Sequence, residues 1–108
     1  MITIQVIPAS GLDAYRLVRD KVSHEAQTFS WANKAKTRLL HTKGGGGYVE
    51  VGSADNILVA QIHQRDGNTY FLVEKFVGRL IAWFPSKIVA INIQVLPEAK
   101  GKAKRKRR

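Results

Sequence analysis

The 108-residue chain has no cysteine, one methionine and three prolines, and only eight acidic residues stand against eighteen basic ones. Without cysteine there is no disulfide, no thiol nucleophile and no cysteine-ligated zinc, a composition that suits a reducing compartment. Long apolar runs are also missing. The uncharged stretch from Ile88 to Pro97 carries Asn92 and Gln94, and it falls far short of the roughly 20 residues that span a bilayer. "MITIQVIPAS" lacks the basic segment and apolar run of a signal peptide. These absences lead to the expectation of a soluble, cytoplasmic protein with no membrane partner.

The surplus of positive charge is unevenly placed. Lys100, Lys102, Lys104, Arg105, Lys106, Arg107 and Arg108 supply seven of the eighteen basic residues, and no acid follows Glu98. Such a run cannot pack a core and attracts polyanions. Residues 99–108 are therefore expected to form a disordered basic tail on a single α+β domain, 1–98.

Hydrophobic periodicity divides that domain. Ile2, Ile4 and Val6 alternate with polar residues, which predicts a strand. A helix is expected next, capped by Ser10, its apolar residues recurring from Leu12 through Val18 and Val22 to Phe29. "KTRLLHT", "YVEVGS", "NILVAQIHQ" and "TYFLVEKF" read as four successive strands, the last two joined by a hairpin at Asp66-Gly67. A second helix is expected over "KFVGRLIAWF", stopped by Pro85, and a final strand over "KIVAINIQVL". The order β-α-β-β-β-β-α-β predicts an antiparallel sheet with two helices. Two plans fit: a ferredoxin-like βαββαβ unit carrying an inserted hairpin, and a curved sheet gripping a helix. Strands four and five look apolar on both faces, which calls for a cover over the second face, either a homodimer packed sheet on sheet or a small apolar ligand.

No motif specifies a reaction, and no cofactor is implied. In "HTKGGGGYVEV" Lys43 precedes the four glycines and a strand follows, whereas a phosphate-binding loop places its lysine after them and opens a helix. The tract reads as a loose hairpin loop. His24, His41 and His63 do not assemble into a metal site by spacing, Asp20 and His24 can meet on one helical face, and Glu50 and Glu74 can face each other across strands. His63 with Asp55 or Glu50 has the groups for acid–base work, but nothing in the chain favours that over a plain structural role.

Binding rather than catalysis is the expectation. Lys34, Lys36 and Arg38 alternate in "WANKAKTR", and an extended chain would aim all three to one side. With the tail they predict a nonspecific contact to RNA, DNA or another polyanion. Two alternatives remain open: a small-molecule carrier or enzyme whose apolar pocket uses His41, His63 or Tyr70, and a protein-interaction subunit.

Overall fold

A computed structural model describes residues 2–25, 28–43, 47–63 and 69–95 of the chain, the side chains of 69 and 70 excepted. Its elements run β1 (Ile2–Pro8), α1 (Ala14–His24), β2 (Phe29–Trp31), β3 (Arg38–His41), β4 (Tyr48–Ala54), β5 (Ile57–His63), α2 (Thr69–Trp83) and β6 (Ile88–Val95). The element order is the expected one, and the fold is α+β. All six strands join one antiparallel sheet in the order β2-β3-β4-β5-β1-β6. Strand β1 lies between β5 and β6, which α2 connects, and β5 lies between β1 and β4. That is the split βαβ arrangement of the ferredoxin-like plan, with β2 and β3 added as a hairpin after α1.

The residues filling two places in that order differ from the sequence reading. Helix α1 starts later and stops earlier than expected. Asp13, not Ser10, is its N-cap and accepts from the Arg16 N–H at 3.3 Å, and the helix ends at His24. Phe29 and Trp31 instead belong to β2, where Phe29 is buried and Ser30 exposed, a two-residue period completed by pairing with β3. "TYFLVEKF" is not a strand but the first half of α2. A strand there would place Leu72, Glu74 and Phe76 on one face and draw a carboxylate into the core. The helix buries Leu72, Phe76 and Leu80 completely, four residues apart, and leaves Glu74, Lys75 and Arg79 in solvent. Residues 64–68, with the expected Asp66-Gly67 hairpin, lie outside the described residues and connect a strand to a helix.

Both helices cover the same face of the sheet. Ala14, Val18 and Val22 of α1 and Leu72, Phe76, Leu80 and the following Phe84 meet Ile2, Ile4 and Val6, Leu58, Ala60 and Ile62, and Val49, Val51, Leu39 and Phe29 from the strands. The β4–β5 hairpin closes on Asp55 and Asn56, both at positive φ, with Ala54 and Ile57 paired at its base. Two central residues of positive φ make a type I′ turn, whose twist matches that of the strands. The Asn56 carbonyl accepts from the Ala14 N–H at 2.9 Å, tying this turn to the start of α1.

Candidate functional site

Because both helices lie on one side, the other face of the sheet is open, and the register sets what it displays. One row of cross-strand partners runs Arg38, Glu50, Gln61, Thr3 and Gln94 over β3, β4, β5, β1 and β6, every member polar. The adjoining row is Gly52, Val59, Gln5 and Asn92. The expected apolar second face is therefore corrected. Its strand-five half belongs to α2, and what remains, Ile57 and Val59 of β5, shares the face with Leu40 of β3, Ile7 of β1 and the amides and charges of these rows.

At the β3–β5 end of this face the side chains form a column. The Arg38 guanidinium carbon lies 4.3 Å from the Tyr48 ring centroid, and the Tyr48 and His63 rings stack at 4.5 Å with 16° between planes. Glu50 stands beside them, its carboxylate 3.8 Å from Arg38 Nη2 and 3.4 Å from His63 Nε2. That second approach is not aligned as a hydrogen bond, so His63 Nε2 is a buried polar atom with no hydrogen-bond partner among the described residues. Next to the column, Glu50, Gly52, Ala54, Val59 and Gln61 line a depression of about 330 Å³. Gly52 makes it a depression: a Cβ there would meet nothing within 4 Å.

The structure separates the three basic residues that alternation grouped. Residues 33–36 form a turn, not an extended chain, with Lys36 at φ 57°. Asn33 organises the turn, its Oδ1 accepting from the N–H groups of Thr37 and Arg38 at 3.1 and 3.2 Å. Lys36 is held toward α1, its Nζ donating to Ser23 Oγ at 3.1 Å and its carbonyl accepting from Tyr15 Oη–H at 2.9 Å. Lys34 is exposed on the turn, and Arg38 alone reaches the open face. The seven basic residues from Lys100 to Arg108, and the glycines 44–46, lie outside the described residues.

Other pairings also resolve. His41 is on the helix-covered face, 5.0 Å from Phe29 and 5.2 Å from Phe71 between ring centroids, whereas His63 is on the open face. The two cannot share a site. Glu74, on α2, is likewise on the far side of the sheet from Glu50. Asp20 takes Arg19 as its partner at 3.0 Å, not His24. Among the described residues no three His, Asp or Glu side chains gather as a metal site, and no helix is long and apolar enough to cross a membrane.

Sequence reasoning paired His63 with Glu50 but missed Tyr48, Gln61 and Gly52. Alternation with Val49 and Val51 puts Tyr48, Glu50 and Gly52 on one face, and that signal was there to be used. Comparisons with known proteins return no match, whether with family models, curated proteins or solved structures.

Proposed function

We propose that the protein binds single-stranded nucleic acid without reading its sequence, the basic tail supplying most of the attraction and the open sheet face the preference for unpaired bases. The observation that carries this reading is the Arg38–Tyr48–His63 column on a sheet face lined with amides. Imidazole and guanidinium planes both stack on bases, and sheets with helices on one face use the other for unpaired strands. That last step is a likeness of architecture and chemistry. Gln61, Thr3, Gln5, Asn92 and Gln94 offer donors and acceptors to whichever base edges lie over them.

Substitution of Gly52 by valine tests this reading without disturbing the fold, because valine suits a strand and the added side chain enters empty space. Gly52→Val and Tyr48→Ala are each expected to weaken binding of an unstructured oligonucleotide about tenfold, in line with roughly 1–3 kcal/mol per stacked base. Binding to duplex of the same length should hardly change. Fluorescence anisotropy at fixed salt reads both, and loss of duplex and single-strand binding in equal measure would remove the sheet face from the reading.

A second reading, self-association, is favoured by β6. This edge strand pairs only with β1 among the described strands, and its Ile93 and Val95 are 45% and 72% exposed. With Val89, and with Ile81 of α2, they form an apolar margin that the helices do not cover. An unpaired strand edge is a template for its own copy, and antiparallel pairing is two-fold symmetric. It also puts the Val95 ends of the two strands at opposite ends of the joined pair. On this reading the dimer would form at the sheet edge. Light scattering should find a dimer that Ile93→Lys converts to monomer; a wild-type monomer at high micromolar concentration rules the pairing out.

A further inference from the structure

On the helix-covered side, at the end of β3, a cleft of about 380 Å³ is lined by Thr28, His41, Thr42, Lys43, Phe71, Lys75 and Arg79. The sequence predicts its α2 wall once the helix is recognised. Phe71, Lys75 and Arg79 are four residues apart and form one stripe. The opposite wall comes from the strand ends, clasped where the Thr42 N–H donates to the Thr28 carbonyl at 2.9 Å. Lys75 Nζ lies 5.6 Å from the Phe71 ring centroid.

The charge in this cleft is unbalanced. Among the described residues three cations line it, no carboxylate does, and none of the three is ion-paired. Like charges four residues apart on a helix repel, so Lys75 and Arg79 destabilise α2 unless an anion lies between them. The larger cleft along α1 shows the contrast. There Asp13, Asp20 and Glu25 accompany Arg16, Lys21 and Lys87, and Lys21 is already paired with Glu25.

The remaining groups suit an oxyanion. The Lys43 backbone N–H donates to His41 Nδ1 at 3.0 Å, which places the proton of a neutral imidazole on Nε2 and makes that nitrogen a donor. Burial, then the cations of Lys75, Lys43 and Arg79, hold His41 below its ordinary pKa. Two threonine hydroxyls add donors, and the Phe71 ring supplies an apolar wall. The volume is at the small end of ligand clefts, roughly 300–1,000 Å³, which favours a compact ligand over a polymer running through.

We propose that this cleft binds a phosphate monoester of nucleotide size, its phosphate held by Lys43, Lys75 and Arg79 and its apolar part against Phe71. The phosphate belongs either to a free nucleotide or to the 5′-phosphorylated end of a strand. The site does not depend on strand binding by the sheet face, which lies on the opposite side.

Titration calorimetry with thymidine 5′-monophosphate and with thymidine tests it. The full chain should bind the monophosphate at least about tenfold more tightly than the nucleoside, one charge-assisted pair being enough for that ratio. The difference should vanish in the Lys75→Gln/Arg79→Gln double variant, whose replaced side chains are exposed, and survive in Lys87→Ala. Proton resonances of His41 should show its pKa rising when the monophosphate binds, which a merely structural cluster would not produce. Absence of phosphate-dependent binding at millimolar probe, or its persistence in the folded double variant, overturns the proposal. A 5′-phosphorylated oligothymidylate that outcompetes its 5′-hydroxyl twin supports the site and assigns it to strand ends; equal competition with monophosphate binding intact supports it and assigns it to free nucleotides.

Discussion

Removal of residues 99–108 is expected to lower affinity for single-stranded nucleic acid by on the order of 10³ to 10⁵ at 0.1 M salt, and to flatten the salt dependence. Each cation that neutralises a phosphate of a single strand contributes about 0.7 to the slope of log affinity against log salt. Between four and all seven of the basic residues from Lys100 to Arg108 in contact give a slope contribution of about 3 to 5, and hence that range. Residues 1–98 carry eleven basic and eight acidic residues, several of them already paired with each other, and cannot replace the loss. Stacking on the Tyr48 column is worth roughly 1–3 kcal/mol per base, one or two powers of ten. On the proposed function the tail would set affinity and the sheet face preference. Deletion should weaken duplex and single strand together, whereas Tyr48→Ala separates them. Anisotropy titrations of the full and shortened chains at several salt concentrations supply the test, and equal affinity at moderate salt sinks the role given to the tail.

The fold was legible where period and burial agree. Ile2, Ile4 and Val6 alternate because β1 is central and covered on one face, and the sequence shows that without help. Residues 69–76 misled because aromatic and β-branched residues resemble a strand locally, while the burial that selects a helix becomes apparent only when Leu80 is counted with Leu72 and Phe76. The open-face site was nearly legible. Had Asp55-Asn56 been taken as a two-residue turn, counting outward six steps from Ala54 and Ile57 would have set Tyr48 against His63. The preference of such turns for glycine at the second position hid it. The cationic cleft was illegible by contrast. Lys43, Lys75 and Arg79 are brought together by the docking of α2 against the end of β3, and no local pattern records that contact. Lys43 joins this cleft through the fold, beside residues far from it in sequence.

Phe76→Ala is expected to cost about 3–5 kcal/mol, the range for emptying a buried phenylalanine site. Phe76 is fully buried and meets Phe29 edge to face at 6.2 Å, and Phe29 in turn contacts Trp83 and His41. The removed ring thus leaves a void where α2 is seated on β2 and β3. Small domains are stable by only about 5–15 kcal/mol, so the melting temperature should fall by at least about 12 °C at some 4–8 °C per kcal/mol. Glu74→Ala, two residues away, separates helix from strand. On a strand residues 74 and 76 would share a face and both changes would matter, whereas on α2 Glu74 is exposed and its loss should fall within about 0.5 kcal/mol. Comparable melting temperatures for the two variants would unseat the helix. Binding measured on the same samples links stability to function. A destabilised Phe76→Ala chain keeps every charge of its tail, so warming should preserve its salt-dependent attraction to nucleic acid while abolishing its discrimination between single strand and duplex, because only the discrimination requires a folded sheet.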